Sequence, residues 1–130
     1  MGRFVSAGIL VRDQVDFYIP GGGFNRISGV VVAQLTLFAF ADNGLLTWPL
    51  ADGTNVPDSS ISAGTIYFNE IYGSPGFYSI RFFPDRIGYW RVVLRNDSLI
   101  TEVIRDFDIV PAGPIGPPNG LNASFLSGSA

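Results

Sequence analysis

The chain has 130 residues and a formal net charge of −3, and it contains neither cysteine nor histidine. Disulfides, thiol nucleophiles, histidine general bases and the commonest zinc ligands are therefore excluded. An acidic chain of this kind does not predict the clustered basic patch that nucleic-acid binding requires. The length suits a single domain with one hydrophobic core.

All eight basic residues are arginine, and only 15% of the residues are charged. Protein–protein interfaces favour arginine and aromatic residues and are depleted in lysine. Genomic bias and a small apolar domain explain the same composition equally well. Together with the strand patterns below, the composition favours a protein that works in contact with other proteins.

Residues 1–29 contain two short apolar stretches, Phe4 to Val11 and Val15 to Ile19, followed by three consecutive glycines. Glycine reaches backbone angles that other residues avoid, so the glycine run predicts a hinge or a close approach. We interpret residues 1–29 as an N-terminal arm or as the first strands of the domain.

The stretch from Val30 to Phe40 is the strongest candidate for a central strand. Its apolar residues fall on both faces, which predicts that its outer face is partly covered by the N-terminal segment or by a partner. The apolar run to Ala41 is interrupted by Gln34 and Thr36 and is too short to span a bilayer. We therefore expect no membrane partner.

The next segment is rich in turn-forming residues. Asp42-Asn43-Gly44 predicts a turn, Leu45 to Trp48 a short strand, residues 49–60 a surface loop, and Ile66 to Ile71 another strand. Asp42, Asn43, Asp52 and Asp58 carry oxygen atoms suitable for calcium, but their spacing matches no dense calcium loop. Because Asp and Asn favour turns for local reasons, we predict turns and no metal site.

Residues 76–95 carry two alternating rows of bulky apolar side chains. Tyr78, Ile80 and Phe82 form the first row, which ends before Pro84; the second row follows Gly88 and consists of Trp90, Val92 and Leu94. A period of two is typical of half-buried strands. Two such rows joined by a short corner predict a β-sandwich in which each sheet contributes one row to the core.

Asn96-Asp97 resembles a two-residue hairpin loop, which would fix the pairing of the next two strands. That loop places Trp90 opposite Val103 in the core and Arg91 opposite Glu102 on the outer face. The outer face would then carry several large apolar groups, which predicts a docking surface. Its candidate partner-binding residues are Tyr89, Arg91, Val93, Ile100 and Ile104.

From Pro111 the composition changes to proline, glycine and small polar residues. Residues 111–130 contain four prolines and four glycines, which predict an extended C-terminal arm rather than part of the core. Leu121, Phe125 and Leu126 are the large apolar residues through which this arm could bind a partner.

The pattern Tyr78-x-Ile80-x-Phe82-x-Pro84 followed by Gly88-x-Trp90-x-Val92-x-Leu94 resembles the strand pair of filamin-type immunoglobulin-like domains. It also resembles the immunoglobulin-like modules of tailed-bacteriophage virion proteins. The resemblance covers residues 30–110 and implies an all-β, immunoglobulin-like sandwich between the N-terminal segment 1–29 and the C-terminal arm 111–130.

The resemblance to phage modules implies a non-enzymatic structural protein of the virion, such as a head-decoration, neck or tail component. Its expected partners are other virion proteins and copies of itself, with no cofactor and no catalytic residue. The alternative is a carbohydrate-binding or adhesion module that stacks sugars on exposed aromatic rings. Its candidate residues are Trp48, Tyr67, Tyr72 and Tyr89.

Overall fold

A computed structural model describes residues 3–18, 25–42, 44–97 and 101–111 of the protein. Short 3₁₀ turns occupy Val32–Gln34 and Asp58–Ser60, and no helix within these ranges is long and apolar enough to cross a membrane. The remaining regular elements are strands: β1 (Arg3–Ser6), β2 (Val11–Asp16), β3 (Leu35–Ala41), β4 (Gly44–Leu46), β5 (Leu50–Asp52), β6 (Ile66–Glu70), β7 (Phe77–Phe82), β8 (Gly88–Asn96) and β9 (Thr101–Val110).

The strands form two sheets. The five-stranded sheet has the order β1-β9-β8-β3-β4, and the four-stranded sheet has the order β2-β7-β6-β5. Neighbouring strands are antiparallel except for β1 with β9 and β5 with β6, which are parallel. The protein is thus an all-β sandwich, as the alternating apolar rows predicted.

The core lies between β7 of the four-stranded sheet and β8 of the five-stranded sheet. Phe82 stacks on Trp90 across the two sheets, with ring centroids 5.5 Å apart. Phe107 of β9 meets the Phe82 ring edge-on at 5.5 Å. The two rows predicted from the sequence are fully buried and face each other here: Tyr78, Ile80 and Phe82 on one side, Trp90, Val92 and Leu94 on the other.

The corner between these two strands depends on Pro84 and Gly88. Strand β7 ends at Phe82, before the proline that cannot donate to a ladder. Gly88 has a φ of 121°, a conformation that L side chains rarely adopt. The indole Nε1 of Trp90 donates to the carbonyl of Arg86 at 3.1 Å, so the corner also holds the largest core side chain in place.

The pairing of β8 with β9 differs from the predicted one. Trp90 lies opposite Phe107 rather than Val103, and Arg91 lies opposite Asp106 rather than Glu102. The strands end at Asn96 and resume at Thr101, so the connection is longer than a two-residue loop. The predicted pairing was therefore wrong by four residues along β9.

Packing explains the observed register. It places two fully buried aromatic side chains, Trp90 and Phe107, side by side over the core. It also forms two opposite-charge pairs across the strands, Arg91 with Asp106 and Arg95 with Glu102, where the predicted register offered one. A shift of four residues is even, so each side chain keeps its predicted face.

The N-terminal segment belongs to the sandwich over its described part. Strand β1 joins the five-stranded sheet and β2 joins the four-stranded sheet, so the chain crosses between the layers after Ser6. Val11, Val15 and Phe17 are buried in the core. The glycine run lies outside the described residues.

Two predicted elements are shorter or more ordered than expected. The strand predicted from Val30 begins only at Leu35, because residues 32–34 form a 3₁₀ turn in which the Gln34 side chain accepts a hydrogen bond from the backbone N–H of Val31 at 3.0 Å. The predicted surface loop 49–60 contains the edge strand β5. That strand has only three residues, too few for alternation to reveal it.

Candidate docking surface on the five-stranded sheet

The outer face of the five-stranded sheet, defined as the side turned away from the core, carries a row of apolar residues across its middle strands. Val93 of β8 lies between Ile104 of β9 and Phe38 of β3. Cross-strand neighbours on one face lie about 5 Å apart at their Cβ atoms. These three residues therefore form one continuous apolar strip.

The adjacent row combines an ion pair with two further apolar residues. Arg91 lies between Asp106 and Phe40, and Phe40 pairs in turn with Leu45 of β4. The guanidinium of Arg91 binds Asp106 in a bidentate manner, with Nε–Oδ1 and Nη2–Oδ2 distances of 2.8 and 3.2 Å. This contact lowers the pKa of Asp106 and raises the pKa of Arg91.

Tyr89 borders this ion pair. Its ring lies under the Arg91 guanidinium, 5.9 Å from the ring centroid, and a hydrogen bond with Asp106 is the main reason that the pKa of Tyr89 is raised. Phe40, Asp42, Tyr89 and Arg91 line a shallow concavity of about 490 Å³. The concavity places two aromatic rings beside Arg91, and aromatic residues and arginine are both enriched at protein interfaces.

A second ion pair closes the far end of the face. Arg95 donates to Glu102 at 2.9 and 3.1 Å, and its guanidinium lies 5.1 Å from the centroid of the Phe38 ring. Both arginines of this face, Arg91 and Arg95, are therefore paired within the chain, whereas large apolar side chains remain in contact with solvent. Those exposed residues are Phe4, Phe40, Leu45, Tyr89 and Ile104.

The structure brings four of the predicted partner-binding residues together on one face: Tyr89, Arg91, Val93 and Ile104. Ile100, Leu121, Phe125 and Leu126 lie outside the described residues. Binding by any of them remains a prediction.

Sequence reasoning missed Phe4 and Leu45 as members of this face, although both are prominently exposed. Phe4 lies opposite Asp108 and Leu45 opposite Phe40. Only the order of strands in the sheet assigns them to the face. Their own segments are too short to show an alternating pattern.

The arginine excess has an explanation within the chain. Each of the eight arginines lies close to a carboxylate, and the longest of these contacts, between Arg3 and Asp13, is 3.9 Å. Arginine composition alone is therefore a weak argument for a partner. The exposed apolar residues are the stronger one.

Around Arg81, the outer face of the four-stranded sheet is covered by the chain itself. Arg81, on the middle strand β7, is buried, and its guanidinium donates to the carbonyls of Gly53 and Val56 at 2.8 and 2.7 Å and to Asp58 at 3.0 Å. Arg12 contacts the same aspartate. The loop after β5 is thereby tied down across this face.

Two of the residues considered for calcium, Asp52 and Asp58, have other partners, and Asn43 lies outside the described residues. Asp52 accepts hydrogen bonds from the backbone N–H and hydroxyl of Thr54 at 2.9 and 2.7 Å, and these bonds lower its pKa. This is the local turn bonding expected of aspartate, and Asp58 contacts two arginines. Within the described ranges, no three acidic residues come together to form a metal site.

The aromatic residues considered for sugar binding are scattered. Tyr67 pairs with Arg81 on the covered side of the four-stranded sheet, whereas Tyr89 lies on the outer face of the five-stranded sheet. Trp48 packs edge-on against Trp90 at 5.4 Å. Rings on opposite sides of the sandwich cannot stack on one sugar, so they form no common platform.

No protein-family model matches the chain, and no curated protein shows significant similarity to it.

Proposed function

We propose that the protein is a non-enzymatic structural component of a virus particle, a tailed bacteriophage in particular, in which it serves as a head-decoration, neck or tail protein. It docks on neighbouring virion subunits through the outer face of the five-stranded sheet and through its extended C-terminal arm. The sandwich is the rigid block that positions these contacts.

The apolar strip on the outer face, formed by the half-buried Val93 and Phe38 and the exposed Ile104, is the observation that carries this proposal. Val93, Ile104 and Phe38 are contiguous across three strands, and Phe40 and Leu45 extend the strip to the sheet edge. Contiguous exposed apolar surface favours an interaction site over ordinary surface. In a symmetric particle, many copies of one modest contact together give strong attachment through avidity.

The order of the strands supports an immunoglobulin-like type of sandwich. In variable-type immunoglobulin domains, strands G, F, C and C′ form one sheet and strands B, E and D lie in the other. The sequences β9-β8-β3-β4 and β2-β7-β6 follow that order. Strand β5, which lies parallel to β6 at the sheet edge, is a departure from it.

The protein composition of purified virus particles tests the proposal. Particles are purified from the virus whose genome encodes this chain, and the chain is quantified by mass spectrometry against the major capsid protein. A copy number in the hundreds indicates head decoration, whereas about six or twelve copies indicate a neck or tail ring. Absence of the chain from purified particles would overturn the proposal.

A further inference from the structure

Two carboxylates on the outer face of the five-stranded sheet, those of Asp42 and Asp108, are free within the described part of the chain. The two arginines of this face are already paired with Asp106 and Glu102. Asp42 and Asp108 form no hydrogen bond or ion pair through their side chains with any residue that the structure describes. The face therefore carries an excess of negative charge, and that excess is located at these two residues.

Both free carboxylates lie beside Tyr89. Asp108 of β9 is the direct cross-strand neighbour of Tyr89. On the other side, β3 pairs with β8 as far as Ala41, and the backbone N–H of the next residue, Asp42, donates to the carbonyl of Tyr89. Tyr89 thus lies between the two carboxylates across three adjacent strands.

Exposed aromatic rings surround the same carboxylates. Asp42 lines the 490 Å³ concavity together with Phe40 and Tyr89, and each of these two rings is 39% exposed. Phe4 is 72% exposed and lies opposite Asp108. The face of an aromatic ring attracts a cation, and a nearby carboxylate adds an opposite charge. This arrangement suits a cationic group that is carried on an apolar stem, as in lysine and arginine.

Arg91 also lines the concavity, but it does not neutralise the free carboxylates. Its guanidinium binds both oxygens of Asp106, at 2.8 and 3.2 Å. The same guanidinium lies 5.9 Å from the centroid of the Tyr89 ring, close to the limit of about 6 Å for a cation–π contact. A second cation could therefore approach the ring more closely, on the side of the free carboxylates.

We propose that Phe40, Asp42, Tyr89 and Asp108, together called the acidic aromatic site, bind a lysine or arginine side chain of a neighbouring protein. The stem of that side chain would lie on the rings, and its charged end would lie beside the carboxylates. The proposal deepens the proposed function and rests on it only in treating the outer face as a docking surface for another protein.

The composition of the chain favours a different protein over a second copy. The chain contains neither lysine nor histidine. Each of its eight arginines already lies close to a carboxylate of the same chain. A second copy could supply a cationic side chain to the acidic aromatic site only by giving up one of its own ion pairs. A partner with an unpaired lysine or arginine has no such cost.

A titration of the isolated chain with small probes tests the proposal. The isotope-labelled, full-length protein is titrated with N-acetyl-lysine methylamide, N-acetyl-arginine methylamide and, as the uncharged control, N-acetyl-norleucine methylamide. We expect the two cationic probes to shift the amide resonances of Asp42, Tyr89 and Asp108 saturably, in the millimolar range. The norleucine probe should bind there about threefold more weakly or less, and added salt should weaken only the cationic probes.

Charge-matched variants locate the binding. Asp42→Asn with Asp108→Asn removes both free carboxylates and should weaken binding of the cationic probes by about fivefold or more. Asp52→Asn with Asp97→Asn removes the same charge at the end of β5 and beyond the end of β8, and should bind the probes like wild type. Tyr89→Leu keeps apolar bulk but removes the ring, and should also weaken binding of the cationic probes.

Three results would overturn the inference: no saturable shift at the acidic aromatic site, equal affinity for the lysine and norleucine probes, or equal losses in the two charge-matched variants. If the variant without both free carboxylates does not fold, the comparison of probes and the salt dependence on wild type still decide. The titration needs no virus particle. Its failure would leave the proposed virion role standing, and absence of the chain from particles would leave the titration unchanged.

Discussion

The two outer faces of the sandwich each carry an arginine on a middle strand, and the two arginines have opposite roles. Arg81 of β7 is 7% exposed and binds two backbone carbonyls and Asp58 of the loop that crosses its face. Arg91 of β8 pairs with Asp106 on its own sheet and stays in contact with solvent. Arg81 thus binds the loop that covers part of the four-stranded sheet, which we call the closed face. The outer face of the five-stranded sheet around Arg91 is not covered by a loop in the described residues, and we call it the open face.

This difference indicates which face is available to a partner. A buried guanidinium needs acceptors that are held in place, and the carbonyls of Gly53 and Val56 supply them. On the five-stranded sheet, Phe40, Tyr89 and Ile104 remain exposed beside satisfied charges. Docking there would bury apolar surface beside arginines that are already paired.

The largest expected loss of stability follows from a substitution in the core that both sheets share. Trp90 is fully buried between Phe82 and Trp48, so Trp90→Ala should lower the free energy of unfolding by about 3–5 kcal/mol through lost packing and a cavity. Chemical denaturation measures this loss. The neighbouring variant Tyr89→Ala, on the open face, is the control and should unfold close to the wild-type midpoint.

The next effect concerns the closed face. Arg81→Ala leaves the carbonyls of Gly53 and Val56 without their donor and should cost about 1.5–3 kcal/mol of unfolding free energy. Amide hydrogen exchange in residues 53–60 should also accelerate. Arg12→Ala is the matched control, because it removes the exposed partner of the same Asp58 and should have a much smaller effect. Equal losses would show that Arg81 does not hold the loop.

The open face should tolerate the loss of its own arginine. Arg91→Ala should shift the unfolding midpoint only slightly, since the Arg91–Asp106 pair is partly exposed. The Arg91 hydrogen bonds lower the pKa of Asp106 below its ordinary value of 3.8, so the pair stabilises the fold above that pH and loses its effect as the pH falls further. Denaturation curves of the two proteins should therefore converge in acid; a gap that widens there would contradict this assignment.

Removal of residues 112–130 should have the smallest effect on the stability of the fold. Every buried core residue within the described ranges lies at or before Ile109, so the truncated chain should keep nearly the same thermal midpoint. Incorporation into particles should fall, because the arm is lost. A large drop in the midpoint would show that these residues pack on their own sandwich.

The rows on β7 and β8 could be predicted because period two is a property of each strand alone. Tyr78 and Trp90 were assigned to the core correctly for this reason. The pairing of β8 with β9 could not be predicted in this way, because a shift of four residues leaves every side chain on the same face of the sheet. The burial of Phe107 beside Trp90 and the second opposite-charge pair, between Arg95 and Glu102, select the observed register.

The open face itself was predicted only in part. Tyr89 and Val93 followed from the alternation within β8, but Phe4 and Leu45 joined them only through the order of strands in the sheet. The covering of the opposite face depends on where a loop folds back, and the hydrogen bonds of Arg81 that hold it leave no periodic signal in the sequence.

Substitution at Val93 tests the open face as a docking surface most directly. Val93→Asp places a charge at the middle of the apolar strip, and Ser79→Asp places the same charge on β7, the middle strand of the four-stranded sheet. Both variants should remain folded by circular dichroism. Competitive incorporation into virus particles should fall sharply for Val93→Asp and stay near the wild-type level for Ser79→Asp. Equal incorporation of folded Val93→Asp and wild type would contradict a docking role for this face.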